Sequence, residues 1–240
     1  VTLSQFDKVA LSVATTDLKN MDDSEEAGRR LGAGLKAAKP RAVLILGQGV
    51  NINGSALIDG LRAEMGDDVA ITGGLAGDGA RFQETVVVTP QGVSTTAVVA
   101  VGLGGGALRF NHGSFGGWEP FGTLRKVTRA AGNVLFELDG TPALDIYKQY
   151  LGDYAKDLPS SGLLFPFEML NEARSTTGVI RTILAVDESK GSLTLAGDID
   201  PNGYLQLMHA SSDRLVDGAE AAANAAKEMA AHPGGGIGLL

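Results

Sequence analysis

The chain lacks cysteine altogether and contains one tryptophan and three histidines among its 240 residues. Without thiols it can form no disulfide, no thiolate metal site and no cysteine nucleophile. The histidines, at positions 112, 209 and 232, show no i, i+4 or H-x-H spacing, so no motif indicates a zinc site. Long apolar runs are missing as well. No clean run is longer than Ala42–Leu46, which is far short of a membrane span.

Positive charge is also scarce, because 20 basic residues face 28 acidic ones and the net charge is −8. No basic cluster is longer than the pairs Arg29-Arg30 and Arg125-Lys126. Such a surface repels nucleic acid, so we expect no nucleic-acid partner. The absence of cysteine fits a reducing compartment, and we expect a cytoplasmic protein without a membrane span.

The N-terminal part of the sequence alternates helices with strands. Asp23 and Glu26 have capping-box spacing, and the residues that follow carry one apolar helical face. Ala42–Leu46 is typical of a strand covered on both faces. A helix after Asn51–Ser55 leads to a strand at Val69–Ile71. This order predicts a βαβ unit.

Beyond residue 85 the pattern changes to short strands. We expect a strand at Ala107–His112, a hairpin of Leu124–Thr128 with Val134–Leu138, and a helix capped by Thr141. An alanine-rich helix is predicted over Ser212–Ala231, before Pro233 and three glycines.

These patterns predict an α/β fold of mixed α+β type with two subdomains. Each subdomain is expected to contain a sheet flanked by helices, and the two to pack together. The change of pattern falls in the glycine-rich stretch 104–122. We therefore expect domains over residues 1–110 and 111–240.

The segment from Gly73 to Gly79, called here the glycine block, holds four glycines and Asp78. It lacks the Lys-Ser/Thr ending of a phosphate-binding loop and the spacing of a dinucleotide fingerprint. We expect a positive φ at one or more of Gly74, Gly77 and Gly79. The Asp78 carboxylate either faces a ligand amine or caps its own turn, and the sequence favours neither alternative.

Four phrases occur in the order in which a known family has them. They are GGLAGDG-x-x-F-x-x-T from Gly73, GW-x-P-FG-x-x-x-x-VT from Gly117, ELDG-x-PALD-x-Y from Glu137, and GDIDPNGYLQLM from Gly197. Together they resemble the FIST family, a sensory module of bacterial signalling proteins that also occurs in some F-box proteins. Members usually carry more chain at both ends, so the resemblance implies a piece truncated at both.

The resemblance implies a small-molecule sensor rather than an enzyme. Its ligand, such as an amino acid, would bind between two halves, and its signal would pass to a histidine kinase, a cyclase or another partner protein, with a homodimer as a further assembly. No cofactor is expected, but some members are described as haem-binding nitric-oxide sensors, which makes His112 an alternative haem ligand. A protein-interaction scaffold like the F-box members is a further alternative.

The candidate ligand-binding residues belong to the glycine block and its neighbour Arg81 and to a second glycine-dense segment, Gly116–Arg125, and we expect the two segments to meet between the halves. Trp118 is either an aromatic wall or a plug in the core. Arg125 and Arg181 are charges in predicted strands, and either can bind a carboxylate bidentately. An enzyme would instead pair Asp78 with another carboxylate, and no G-x-S-x-G elbow is present. The candidate set is Gly74, Asp78, Gly79, Arg81, Trp118 and Arg125.

Overall fold

The computed structural model describes residues 5–228, which form a mixed α+β structure of two units. The predicted fold class is confirmed. Among the described residues, no helix is long and apolar enough to cross a membrane.

The first unit is a four-stranded sheet with two helices on one face. The strand order is β1-β6-β2-β3, and β2 pairs in parallel with β3 across helix α2, so the predicted βαβ unit is present. A separate two-stranded hairpin, β4 with β5, precedes β6. The elements are β1 Ala10–Asp17, α1 Ser24–Lys36, β2 Ala42–Gly47, α2 Gly54–Met65, β3 Ala70–Leu75, β4 Val87–Thr89, β5 Gly92–Ser94 and β6 Ala97–Gly104.

Helices α1 and α2 touch backbone to backbone through glycines. A Cβ on Gly28 would lie 2.1 Å from the carbonyl oxygen of Leu57, and one on Gly60 would lie 1.9 Å from that of Glu25. Only glycine permits such an approach. The two helices cover a core that includes Leu31, and α2 is thereby fixed to α1.

The predicted capping box at Asp23 is wrong. A short 3-10 turn, Met21–Asp23, precedes α1, and Asp23 itself has helical dihedral angles, so its side chain caps no amide of the helix. Its carboxylate instead accepts two hydrogen bonds from Arg30, at 3.0 and 2.8 Å. These bonds are the main reason why the pKa of Asp23 is lowered to about 2.

The second unit is an eight-stranded sheet that curves back on itself. Its strand order is β11-β10-β14-β7-β8-β13-β12, with β9 beside β8. Strands β11 and β12 lie at opposite ends of this order although Thr182 alone separates them. Helix α3 packs into the curve, with Tyr147 fully buried. The elements are β7 Glu119–Ala131, β8 Val134–Leu138, β9 Thr141–Pro142, α3 Ala143–Leu151, β10 Phe167–Leu170, β11 Thr176–Arg181, β12 Ile183–Asp187, β13 Ser192–Leu195, β14 Tyr204–His209 and α4 Ser212–Glu228.

The strand predicted at Ala107–His112 is absent. The chain there runs without regular pairing and then passes along α4. A Cβ on Gly113 would lie 2.1 Å from the carbonyl oxygen of Ala222, and one on Gly117 would lie 2.0 Å from that of Arg214. The segment thus packs on the backbone of α4 instead of pairing with a neighbouring strand. The predicted end of α4 at Ala231 lies outside the described residues.

The hairpin of β7 and β8 is confirmed, but Thr141 does not cap α3. Thr141 pairs with Leu138 in the ladder of β8 and β9, and Pro142 occupies the N-cap position. The start of a helix tolerates proline because proline has no amide hydrogen that would need a partner there.

Polar contacts join the two units at several points. The amide of Gly54 donates to the carbonyl of Ala196 at 3.1 Å. The Asn133 side chain lies between Met21 and Leu195, and the hydroxyl of Ser160 donates to the carbonyl of Ala80 at 2.6 Å. The start of α2 is therefore held by the second unit.

Candidate functional site

The glycine block is partly strand and partly loop. Strand β3 includes Gly73, whose φ is +145°, and a Cβ there would lie 2.0 Å from the carbonyl oxygen of Ile45. Gly79 has a φ of +72°, which confirms the predicted positive φ. Gly74 and Gly77 lie in open space and outside that region of φ.

The Asp78 carboxylate is engaged by its own loop. One oxygen accepts the amides of Arg81 and Phe82 at 3.0 and 3.1 Å, and the other accepts those of Gln83 and Glu84 at 2.8 and 3.4 Å. The bond from Gln83 is the largest of the causes that lower the pKa of Asp78. These contacts are those of a carboxylate that organises a turn, and a role for Asp78 in ligand binding stays a prediction.

Arg81 follows the same pattern. Its Nε donates to the backbone carbonyl of Asp78 at 2.8 Å, and its side chain lies on an exposed part of the loop. The loop reaches the second unit through the bond of Ala80 with Ser160.

Arg125 on β7 is likewise occupied by neighbours. Its Nη1 lies 3.2 Å from Asp139, its Nη2 lies 3.1 Å from the hydroxyl of Tyr150, and its guanidinium lies over the Tyr150 ring. The hydrogen bond with Tyr150, followed by that with Asp139, raises the pKa of Arg125. A ligand carboxylate would have to displace Asp139 or the Tyr150 hydroxyl to bind here bidentately.

Trp118 is half-buried at the end of the stretch that passes along α4. Its ring lies against the backbone of Gly116, where a Cβ would lie 2.2 Å from the indole Cδ1. Within residues 5–228, no side-chain hydrogen bond or ion pair joins Trp118 or Arg125 to the Asp78 loop. The structure thus brings Asp78, Gly79 and Arg81 into one turn, whereas Gly74 lies on β3, Trp118 just before β7 and Arg125 on β7.

His112 is exposed, with Phe110 as its ring neighbour at 6.2 Å. His209 packs edge-on against Phe121 at 5.7 Å. Within the described ranges, no group of three histidine, aspartate or glutamate side chains is arranged to hold a metal ion. The haem alternative at His112 stays a prediction.

A cleft of about 610 Å³ lies between α2 of the first unit and the second unit. One face of α2 lines it with Ser55, Asp59 and Arg62. The opposite wall contains Met169 and Ile199 as apolar groups, together with Arg181, Asp198 and Asp200. Small-molecule sites occur preferentially at such interfaces, although this cleft is more polar than most of them.

Arg181 spans the cleft from β11 to α2. Its Nη2 donates to the hydroxyl of Ser55 at 2.9 Å, and its Nε donates to the carbonyl of Asp198 at 2.9 Å. Burial lowers the pKa of Arg181, although the charge of Asp198 acts in the opposite direction. Within residues 5–228 no carboxylate forms an ion pair with this half-buried guanidinium, whose hydrogen-bond partners are neutral oxygens.

Gly197 provides the room for this arrangement. A Cβ at that position would lie 2.5 Å from the Ser55 hydroxyl and 3.0 Å from the Cζ of Arg181. Any side chain would therefore displace the guanidinium from α2.

Asn53 connects the start of α2 to the same wall. Its side-chain oxygen caps the helix by accepting the amide of Ala56 at 3.2 Å, and its side-chain nitrogen donates to Asp198 at 2.6 Å. The carboxylate of Asp198 thus lies near the positive end of the helix, where a negative charge is favoured.

The outer part of the cleft carries two charges that are free in the described structure. Asp59 and Arg62 are exposed, and within residues 5–228 neither side chain makes a hydrogen bond or an ion pair. Asp200, by contrast, accepts the amide of Asn202 at 2.9 Å within its turn.

Sequence reasoning identified Arg181 as a charge in an apolar strand but did not associate it with α2. Asn53 and Asp198 are 145 residues apart. The detectable signals were the glycine before Asp198 and the polar start of α2.

The chain is thus an α+β protein of two units, and a charged cleft lies between them. The chain matches the FIST N domain over residues 1–141 and the FIST C domain over residues 143–239, and it belongs to the FIST family. FIST domains are sensor domains associated with signalling rather than catalytic families.

The chain is also similar to an uncharacterized protein of Methanocaldococcus jannaschii. The two are 34% identical over 100 residues, which are 42% of this chain and 19% of that protein. The chain therefore spans about a fifth of the length of this curated relative. No solved structure matches the chain.

Proposed function

We propose that this protein senses a small molecule that carries a carboxylate, and that the ligand binds in the cleft between the units. The observation that carries the proposal is Arg181, a half-buried guanidinium with neutral hydrogen-bond partners in the described structure. A buried charge without a counter-ion is unfavourable, so an anionic ligand gains more there than at an exposed arginine.

The other charges of the cleft suit a zwitterion. A ligand carboxylate would bind Arg181, while Asp59, which has no ion pair within residues 5–228, would attract a ligand amine. An amino acid combines these two groups, and amino acids are also the ligands that the FIST resemblance implies.

Helix α2 is suited to pass on the binding event. Its start contacts the cleft through Asn53 and Ser55, and its middle touches α1 at Gly28 and Gly60 without intervening side chains. A shift of α2 on binding would therefore move α1 as well. We further propose that the signal passes to a partner protein such as a histidine kinase or a cyclase. The protein would act in the bacterial cytoplasm and form a homodimer.

The test is a thermal-shift screen of amino acids and other carboxylates, followed by calorimetry. A ligand at about 100 times its Kd adds about 2.7 kcal/mol to the free energy of unfolding. We expect Arg181→Met to abolish the shift and Arg109→Met, an exposed control, to retain it. Because Arg181 also holds α2, Arg181→Lys serves as a milder variant that keeps the charge and should weaken binding without abolishing it. Shifts that survive in Arg181→Met would place the ligand elsewhere.

The alternatives predict different results in the same experiments. A haem sensor would give a Soret change that His112→Ala removes. A scaffold like the F-box members would show no metabolite shift at all. An enzyme at the Asp78 loop would need a second carboxylate beside it, whereas the Asp78 oxygens are engaged by amides of their own loop.

A further inference from the structure

The charges along the cleft face of α2 follow an order. Ser55, Asp59 and Arg62 are four and three residues apart, so they lie on one helical face. With a rise of 1.5 Å per residue, Asp59 lies about 6 Å and Arg62 about 10 Å along the axis from Ser55. Since Arg181 is bound to the Ser55 hydroxyl, the α2 side of the cleft presents a positive, a negative and again a positive group, while Asp198 and Asp200 belong to the opposite wall.

We propose that the ligand is an amino acid with an acidic side chain, and that Arg62 is the residue that selects it. This inference rests on the proposed function, because the α-carboxylate must bind Arg181. The amine then lies toward Asp59, and the side-chain carboxylate reaches Arg62. The negative, positive and negative groups of such a ligand thus face the positive, negative and positive groups of Arg181, Asp59 and Arg62.

The remaining groups of the cleft do not offer this selection. Asp198 is bound to Asn53, and one carboxylate oxygen of Asp200 accepts an amide of its own turn. A basic side chain would be repelled by Arg62, and a neutral one would leave that guanidinium in water. Selectivity therefore depends on one exposed arginine whose side chain makes no hydrogen bond or ion pair within residues 5–228.

The test compares acids with their amides, which have nearly the same shape. L-glutamate with L-glutamine and L-aspartate with L-asparagine are titrated by calorimetry into the wild type, Arg62→Gln and the exposed control Arg109→Gln. We expect one acid to bind about five- to tenfold more tightly than its amide, as for a charge-assisted but solvent-accessible contact. In Arg62→Gln the acid should bind no better than the amide, whose own affinity should not change.

The outcomes separate this inference from the proposed function. Equal affinities of acid and amide in both pairs, or a preference that persists in Arg62→Gln, would overturn the role of Arg62. If Arg181→Met still abolished binding in that case, the proposed function would stand. Absence of binding by all four compounds would overturn this inference, and the broader carboxylate screen would then decide the proposed function.

Discussion

The glycine block and the cleft between the units differ in the hydrogen-bond partners of their charged side chains. In the block, Asp78 accepts amides of four successive residues, Arg81 to Glu84. In the cleft, the half-buried Arg181 has a hydroxyl and a carbonyl as partners in the described structure. The negative charge of Asp78 is thus stabilised by amides of its own loop, whereas the positive charge of Arg181 is half-buried and has no ion pair within residues 5–228.

An unusual sequence pattern can therefore have a reason in the backbone geometry, and a ligand-binding role of the block stays a prediction. Two glycines of the block have a backbone reason: Gly73 lies close to the backbone of Ile45, and Gly79 has a positive φ. One wall of the cleft lies in the phrase that begins at Gly197, but no pattern links that wall to α2, because the members of the cleft come from elements far apart in the chain. Our proposal of a ligand site in the cleft rests on a half-buried charge at an interface between the units.

The largest expected effect tests the structural role of the block. Gly73→Ala would place a Cβ 2.0 Å from the Ile45 carbonyl oxygen at a φ of +145°. We expect a loss of about 3 kcal/mol in the free energy of unfolding, since overpacking and backbone strain add. Urea denaturation measures it. The matched control is Gly74→Ala, which meets open space, and an equal loss there would contradict the geometric explanation.

The next effect tests the cleft. Asn53→Ala removes both the cap of α2 and the bond to Asp198, and we expect a loss of about 2 kcal/mol. Asn53→Asp keeps a capping oxygen but sets a second carboxylate against Asp198. Its stability at pH 7 should therefore remain below the wild type and recover partly near pH 4. A wild-type stability for Asn53→Asp would show that the bond to Asp198 contributes little.

Much of the fold was predictable because it depends on local patterns. The apolar run Ala42–Leu46 predicted β2, and the turn residues after β7 predicted its hairpin with β8. Two predictions were wrong because another local interaction replaced the expected one. A 3-10 turn changed the backbone of Asp23, and packing on α4 replaced the ladder predicted for Ala107–His112.

The cleft was less predictable because its contacts join distant parts of the chain. Arg181 was identifiable as a charge within an apolar strand, but its partner Ser55 lies 126 residues away. No spacing rule covers such a distance. The charges of Asp59 and Arg62 can be assigned to a cleft only when the position of the second unit opposite α2 is known.

A smaller effect separates two glycines of the block. Gly79→Val forces a β-branched residue to a φ of +72°, and we expect a loss of about 1–2 kcal/mol. Gly77→Val, outside that region of φ and in open space, should have little effect. Thermal unfolding of the two variants in parallel gives the comparison. Equal melting temperatures would mean that the loop adapts to the side chain, and ligand binding in the cleft should be unchanged in both.

The smallest effect concerns the charge of Asp78. Since its pKa is lowered in the folded protein, the carboxylate stabilises the fold at any pH above its usual value of about 4. That contribution is lost as the pH falls through the lowered pKa. Asp78→Asn should thus be less stable than the wild type at pH 6, and the difference should shrink steadily below pH 4. The effect is small because solvent screens an exposed group. Chemical denaturation from pH 2 to pH 6 measures it. A difference that stays constant over this range would assign the role of Asp78 to its shape rather than to its charge.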